Sequence, residues 1–356
     1  MTRFMMLVSA RADCALRDAV RDGGRPCPEY LRLEARHGLR LLDWSSLGPA
    51  ATRRSLRVSL AHVRAATRML DDVDGVVSDG EHVGVLLALT MRARGRHTPH
   101  LMLGHHLTTR AKRLVFRLLR PQAGISRVLV HSSRQLEQAV GELGIRRHGI
   151  DLLPFYADTD FWAPRSIPSD QLVLAVGREH RDYATLADAC GDLDARVHVA
   201  AGSLFSPAAR RYEPRAWPGN FHVGFADHLA LRELYARAAV VVVPLVPNDF
   251  QAGVTTIVEA MAMGRPVVVS ATAGQRDIVE DGVTGLMVRP GDPAVLREAV
   301  AHLLADPRER RRLGDAARDA AVSRFGLDVY VDRLVEHLTE IARVAPIPEG
   351  AGARRT

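Results

Sequence analysis

The sequence predicts an α/β protein built from two Rossmann-like, doubly wound domains that face each other across a cleft. Its 356 residues suit two domains of about 170 residues each better than a single one. In the second half, short apolar runs rich in valine alternate with amphipathic helical patterns, which is typical of parallel strands covered on both faces. The first half repeats this alternation less regularly.

Short β-branched runs mark the individual strands. In the second half they are residues 172–176, 197–201, 221–223, 240–243 and 267–270. In the first half they are an N-terminal run that ends at Val8, followed by residues 75–78, 100–103 and 127–130. Helical patterns lie between the strands, and in residues 294–305 the apolar side chains recur at three- and four-residue spacing. Repeated strand–helix units predict parallel sheets, whose ligands bind beyond the carboxyl ends of the strands.

A polar stretch with two prolines, residues 163–170, marks the predicted domain boundary. We therefore expect an N-terminal domain over residues 1–165 and a C-terminal domain over residues 166–326. Residues 327–345 predict a helix that packs back on the N-terminal domain. The last residues, 346–356, are rich in proline, glycine, alanine and arginine and predict a disordered tail.

Composition argues against several classes of protein. Three scattered cysteines without paired spacing argue against disulfides and structural zinc and favour a cytoplasmic location. No apolar run approaches the roughly 20 residues of a membrane span. Residues 1–164 hold 25 basic against 16 acidic side chains, and the remainder holds 23 against 25, but the charge is spread out. With only 5% aromatic residues for base stacking, nucleic-acid binding is not expected.

The passage from the strand at 240–243 to the next helix predicts an anion site. That helix, predicted over residues 255–263, begins with Thr255 and Thr256, whose hydroxyls and backbone N–H groups can donate to a phosphate. Glu259 lies about one turn further in, where a carboxylate can accept two hydrogen bonds from the vicinal hydroxyls of a ribose. These residues predict a site for a nucleoside diphosphate.

Residues 251–292 resemble glycosyltransferase family 4. In that family, two glutamates separated by seven residues precede an Ala-Met-Ala-x-Gly-x-Pro-Val-Val run, which is present here from Ala260 to Val268. The likeness extends over residues 171–340 and is loose in the first half. It implies a GT-B fold and a retaining transfer of a sugar, which we expect to be a hexose, from a UDP- or GDP-sugar.

The resemblance implies roles for individual residues of the second half. Glu259 matches the second glutamate, which binds the donor ribose, and Thr255 and Thr256 match positions whose amides hold the diphosphate. Gly177 and Arg178 match a Gly-Arg pair after the first strand of this domain, whose arginine binds the diphosphate.

Arg181 falls near a family lysine that also contacts phosphate, and arginine keeps that charge while adding a planar fork of donors. Together with Arg178 it would stabilise the departing diphosphate without a metal ion. No metal ligands and no further cofactor are therefore expected.

The first glutamate of the family pattern is Gln251 in this chain. The family glutamate contacts hydroxyls of the donor sugar, and a glutamine can still accept and donate there without carrying a charge. We expect Gln251 to line the sugar site, and Asp249 is an alternative source of a carboxylate.

In the first half, two histidines follow the strand predicted over residues 100–103. Family members often carry a histidine facing the sugar at this place, and the resemblance assigns that role to His105, with His106 as the alternative. Asp79 and Glu81 also follow a strand end and are expected to face the acceptor.

Residues 108–120 combine five basic side chains with leucine, valine and phenylalanine. Such a helix either turns its apolar side to the core with a charged outer face, or docks peripherally on the anionic inner face of a membrane. We favour the first arrangement.

The sequence therefore predicts an enzyme: a retaining glycosyltransferase that acts on a natural product, a lipid or a cell-envelope glycan. Two alternatives stay open. One is a relative that binds a nucleotide-sugar but has lost transfer, which Gln251 motivates, and the other is a nucleotide-sugar epimerase of the same architecture. A nicotinamide dehydrogenase is not expected, because no GxGxxG motif follows a first strand. The oligomeric state is not readable from these patterns.

Overall fold

In the computed structural model, which describes residues 3–49, 51–167, 170–201, 214 and 216–344, two six-stranded sheets are each covered by helices. The first half contains β1 (Phe4–Val8), α1 (Cys14–Arg21), α2 (Glu29–His37), β2 (Arg40–Asp43), α3 (Leu56–Thr67), β3 (Gly75–Ser78), α4 (Glu81–Ala93), β4 (His100–Gly104), α5 (Arg110–Leu119), β5 (Arg127–Val130), α6 (Ser133–Leu143) and β6 (Ile150–Leu152). The second half contains β7 (Leu172–Val176), α7 (Tyr183–Cys190), β8 (Arg196–Ala200), β9 (Phe221–Gly224), α8 (His228–Arg237), β10 (Val240–Val243), α9 (Val254–Ala262), β11 (Val267–Ser270), β12 (Leu286–Val288), α10 (Pro293–Ala305), α11 (Pro307–Arg324) and α12 (Leu327–Val344).

All strand pairs within the two sheets are parallel. The first sheet has the order β2-β1-β3-β4-β5-β6 and the second the order β12-β11-β10-β7-β8-β9. In each sheet the order reverses once, between β1 and β3 and between β7 and β10. Such reversals open a crevice at the carboxyl ends of the strands, where α/β proteins bind ligands. The prediction of two doubly wound parallel domains is therefore confirmed.

The last helix, α12, leaves the second half and packs on the first sheet. Its buried residues Leu327, Tyr330, Leu334 and Leu338 join one apolar cluster with Met6 of β1 and its neighbours. Ion pairs along its exposed edge join α12 to α2, for example Arg36 with Asp332 at 2.8 Å. The C-terminal helix thus completes the cover of one face of the first sheet.

The predicted strands agree with β3, β5, β7, β10 and β11 in both bounds, whereas β8, β9 and β4 differ by one residue at their ends. The short edge strands β2, β6 and β12 were not predicted. The predicted disordered tail, 346–356, lies outside the described residues. Within the described part of the chain, no helix is both long and apolar enough to cross a bilayer.

Candidate functional site

The start of α9 lies at the switch point of the second sheet. Its N-cap residue is Gly253, whose φ of 76° is the left-handed conformation that glycine adopts without strain, and no side chain caps the helix. Gly177, which follows β7, also has a positive φ, of 90°. Two glycine loops therefore flank the uncapped helix N-terminus. Unpaired N–H groups and the helix dipole make such a terminus a binding place for an anion.

The guanidinium of Arg181 fills the space beneath these loops. A Cβ atom on Gly177 would lie 2.8 Å from its Nη2, and one on Gly253 would lie 3.0 Å from its Nη1. Arg181 is buried and donates to the carbonyl oxygen of Val176 at 2.9 Å and to Oγ1 of Thr256 at 3.2 Å. Burial lowers its pKa. The structure thus places this cation behind the start of α9, where its charge adds to the helix dipole.

Glu259 lies one turn into α9, beside Tyr235 of α8. Its Oε2 accepts a hydrogen bond of 3.1 Å from the hydroxyl of Tyr235, which is itself buried against Trp162. Burial raises the pKa of Glu259 to about 8, and the hydrogen bond from Tyr235 offsets only part of this effect. The carboxyl group is therefore held in place by a phenol, and its burial favours the protonated form.

Gln251 sits three residues before α9 and is 3% exposed. Among the described residues, neither its Nε2 nor its Oε1 has a hydrogen-bond partner. In the loop after β11, Thr272 Oγ1 and Gln275 Oε1 are also buried without partners, while Nε2 of Gln275 donates to the carbonyl oxygen of Ala252 at 2.6 Å. Buried polar atoms of this kind are costly unless something satisfies them. A ligand rich in hydroxyl groups would do so.

The two domains are in contact next to Gln251 and the loop after β11. The ring of Phe250, next to Gln251, stacks on His106 of the first domain with ring centroids 5.0 Å apart. Asp277 accepts a hydrogen bond of 2.8 Å from the backbone N–H of Ser133, at the start of α6. The carboxyl ends of both sheets therefore line one cleft.

On the first-domain side, Glu81 and His105 lie together after β3 and β4. Oε2 of Glu81 accepts from the backbone N–H of His105 at 3.2 Å, and Lys112 of α5 forms an ion pair with the same carboxylate. Burial opposes the charge on Glu81, but the attraction of Lys112 prevails and lowers its pKa to about 2. The His105 ring hydrogen-bonds through Nε2 to the carbonyl oxygen of Asp79 at 2.7 Å. Glu81 is thus a charged group that fixes the backbone of His105.

Ser9, Asp79 and His82 form a second polar group at the ends of β1 and β3. Oγ of Ser9 donates to Oδ1 of Asp79 at 2.8 Å and lies 2.6 Å from Nε2 of His82. Burial raises the pKa of Asp79 to about 6 and lowers that of His82 to about 4. Near neutral pH, a titrating carboxyl thus lies close to a neutral imidazole, an arrangement able to exchange hydrogen bonds with a hydroxyl group.

The structure gathers the residues singled out from the sequence into two sets. At the switch point of the second sheet lie Gly177, Arg178, Arg181, Gln251, Thr255, Thr256 and Glu259. At the ends of β3 and β4 lie Asp79, Glu81, His105 and His106. Asp249, considered as a substitute carboxylate, instead pairs with Arg134 of the first domain at 3.7 Å.

Several residues of the cleft were missed by the sequence reasoning. Tyr235 lies 24 positions before Glu259, and nothing in a helical pattern marks a tyrosine as the partner of a distant carboxylate. Gln275 and Ser9 follow strands, so their position at a carboxyl end was a usable signal. Only the fold, however, shows which polar atoms they meet.

Comparison with known proteins shows what the second domain resembles. Residues 170–306 match the family model described as Glycosyl transferases group 1. The chain is 42% identical over 116 residues to D-inositol 3-phosphate glycosyltransferase from Xylanimonas cellulosilytica. The aligned stretch covers 33% of this chain and 27% of that protein. Matches to curated relatives span between 12% and 34% of the relatives' own lengths. The second domain is therefore similar to group 1 glycosyl transferases over residues 170–306.

Two solved structures share the architecture of the whole chain. Sucrose-phosphate synthase from Thermosynechococcus elongatus superposes with a TM-score of 0.71 over 97% of this chain and 100% of that one, at 19% identity. Anabaena Alr3699/HepE in complex with UDP-glucose gives a TM-score of 0.68 over 96% and 100%, at 16% identity. The fold is therefore the GT-B architecture of glycosyltransferases.

Proposed function

We propose that the protein is a retaining glycosyltransferase of the family 4 type that takes its sugar from a UDP- or GDP-sugar. The observation that carries the proposal is the uncapped start of α9 at the switch point, with Glu259 one turn further in. The helix start suits the diphosphate, and the carboxyl group of Glu259 suits the ribose hydroxyls. The UDP-glucose bound to Anabaena Alr3699/HepE, a protein of the same fold, supports this donor class.

The remaining polar groups of the cleft divide between the two substrates in this proposal. The unpartnered amide of Gln251 would bind hydroxyls of the donor sugar, a hexose in our proposal. His105 would face that sugar from the first domain, while Asp79 and His82 would hold the acceptor hydroxyl. The acceptor class that we propose is a natural product, a lipid or a cell-envelope glycan.

The chemistry follows from these positions and from the family resemblance. The acceptor oxygen bonds to the anomeric carbon on the face from which the diphosphate departs, so the configuration is retained. The acceptor proton passes to a phosphate oxygen of the leaving group. Charge on that group is balanced by the α9 dipole with Arg178 and Arg181, an arrangement fixed before the reaction begins.

Metal-independent transfer is part of the proposal. We expect that a chelator leaves the rate of transfer unchanged, because helix dipole and arginines supply the positive charge. Transfer that stops on chelation and returns when Mg²⁺ is added would contradict this part alone.

A second candidate is a protein that binds the nucleotide-sugar without transferring the sugar. The neutral Gln251, in the place of a family glutamate, is the observation that favours it. Gln251→Glu separates the two candidates, since transfer that appears only in the variant supports the second. Transfer by the unmodified protein supports the first.

The direct test is product analysis. The protein is incubated with UDP- and GDP-hexoses and a panel of acceptors, and the products are identified by mass spectrometry and by the anomeric couplings in their NMR spectra. We expect a glycoside with the anomeric configuration of the donor. An inverted product would contradict the retaining mechanism, and a changed sugar in the absence of any acceptor would indicate an epimerase.

A further inference from the structure

The outward face of α5 is apolar, contrary to the arrangement that we favoured from the sequence. Leu114, Leu118 and Leu119 are exposed by 57%, 66% and 53%, and within α5 the buried side chain is Phe116. A surface helix normally turns such leucines toward the core. This helix therefore packs on the domain through the ring of Phe116 and exposes its leucines to solvent.

A second helix adds exposed leucines on the same side of the first sheet. Leu56 and Leu60 of α3 are exposed by 68% and 51%. Residues Leu7, Ser78, Met102 and Val128 are paired across β1, β3, β4 and β5, so their side chains point to one face of the sheet. Leu7 belongs to the apolar cluster that contains α3, and Met102 and Val128 to the cluster that contains α5. Both helices therefore cover this face. We call the five exposed leucines with the arginines around them the leucine–arginine surface.

Exposed arginines lie on or next to the same two helices as these leucines. Exposed Arg53, Arg54 and Arg57 accompany the leucines of α3, and exposed Arg110 and Arg117 accompany those of α5. Neither α3 nor α5 contains an aspartate or glutamate. The long arginine side chains can lie along apolar surface while their charged ends reach outward. Next to α5, Glu142 of α6 pairs with Arg113 at 3.0 Å, so the excess of positive charge comes from the other arginines. Exposed leucines flanked by an excess of cations match a surface that is apolar inside and anionic outside.

A second copy of the chain fits this surface poorly. A two-fold interface would bring two sets of these arginines into one contact, and neither α3 nor α5 supplies an acidic side chain to pair with them. An anionic lipid bilayer satisfies both features at once, because its acyl region accepts leucines and its headgroups attract arginines.

We propose that the leucine–arginine surface docks on the face of an anionic lipid bilayer. The helix α5 begins four residues after His106, and its Lys112 binds Glu81 within the cleft. Docking therefore holds the acceptor side of the cleft toward the membrane. This binding does not depend on the proposed sugar transfer, and it is measured without any nucleotide.

The test is flotation of the full chain with vesicles of phosphatidylcholine, either alone or mixed with phosphatidylglycerol. We expect binding to the anionic vesicles and not to the neutral ones, weakening as salt is added. Leu114→Ser/Leu118→Ser and Arg110→Glu/Arg117→Glu are each expected to weaken binding by about tenfold or more. The matched control is Val295→Ser/Val322→Ser, which changes two exposed apolar residues of the second domain and should float like the unmodified protein.

Thermal melting shows whether each variant is folded. The proposal is overturned if the unmodified chain does not float with anionic vesicles, or if the folded leucine variant floats as well as the control. It is also overturned if sedimentation velocity without lipid shows a dimer that the leucine variant abolishes. In that case a second copy covers the surface.

Discussion

Glu259 and Gln251 are close in sequence but differ in their partners. Glu259 is titratable, is held by the phenol of Tyr235 and has a pKa raised by burial to about 8. Gln251 is neutral, and among the described residues neither end of its amide has a partner. In the proposed function, Glu259 binds the ribose and Gln251 binds the donor sugar. Each therefore makes a prediction of its own.

Affinity for a UDP- or GDP-sugar is expected to rise with pH through Glu259. Ribose hydroxyls donate to the carboxylate, so the donor binds more tightly to the deprotonated form and its binding releases a proton. Titration calorimetry should show the dissociation constant falling as the pH rises from about 6 to about 8. Glu259→Gln should bind more weakly and without this slope. If the dissociation constant of the variant changes with pH as much as that of the unmodified protein, another group causes the pH dependence.

Replacing Gln251 by leucine should leave the fold intact while lowering the affinity for the donor sugar nucleotide. The unpartnered amide costs the free protein about 1 kcal/mol or more, so Gln251→Leu should be as stable as the unmodified chain or more stable. The nucleoside diphosphate should bind unchanged, and the affinity gained from the attached sugar should disappear. These are measured by chemical denaturation and by calorimetry with both ligands.

Gln135 provides the contrast, because it is buried with its amide bonded to the backbone N–H of His131 and the carbonyl oxygen of His105. Gln135→Leu should lower the free energy of unfolding by about 1–3 kcal/mol. Equal losses of stability in the two variants would show that Gln251 has partners in the free protein.

At the scale of elements, the site depends on how α9 begins. A glycine N-cap leaves the helix N–H groups free, and the same glycine makes room for Arg181 below. A serine or aspartate would satisfy these donors in the usual way and remove the anion site. The element that we propose for the diphosphate is therefore marked by a helix start without a side-chain cap.

Gly253→Ala is expected to weaken both stability and nucleotide binding. Its Cβ would meet Cγ1 of Val243 at 2.8 Å, in addition to the strain of a positive φ, so the loss of stability should be about 2–4 kcal/mol. Gly291→Ala is the control, since its φ is also positive, at 70°, but no atom lies within 4 Å of the added group. Denaturation should show a smaller loss there, and calorimetry an unchanged affinity. Similar effects of both changes would mean that the close contact with Val243 does not cause the loss of stability and affinity.

The elements show where sequence patterns suffice. Buried strands such as β7 and β10 are continuous apolar runs, and their bounds are predicted from the sequence. The edge strands β2 and β6 carry charged residues within three or four positions and give no such signal. In α5, periodicity shows an apolar side but not that this side points outward, which depends on the neighbouring helices. For the same reason the residues of the proposed anion site are found from the sequence, but the contact of Tyr235 with Glu259 is not.

At the scale of the whole molecule, two sheets present their carboxyl ends to one cleft, and α12 ties the chain together. The helix starts directly after the second domain yet buries its apolar side on the first sheet. Ser133 and Asp277 join the two sides near the cleft. Closure of the cleft would therefore move one sheet relative to the other while α12 remains on the first.

Leu334→Ala should destabilise the first domain although the residue lies near the end of the chain. Its side chain is buried in the cluster under the first sheet, and truncation of such a leucine costs about 2–5 kcal/mol. Glu336→Ala, exposed on the same helix, should be neutral. Hydrogen exchange should show the loss of protection in β1 and β4. Loss confined to α12 would indicate that the helix is a separate appendage.

The measurement that tests the central claim most directly is calorimetric titration of UDP and of GDP into the unmodified protein, Glu259→Ala and Glu298→Ala. Glu298 is exposed on α10 and provides the matched control. We expect one of the two nucleotides to bind with one site per chain, the control to bind equally, and Glu259→Ala to bind about 10- to 100-fold more weakly. If neither nucleotide binds, or if Glu259→Ala binds as tightly as the control, the start of α9 is not the nucleotide site.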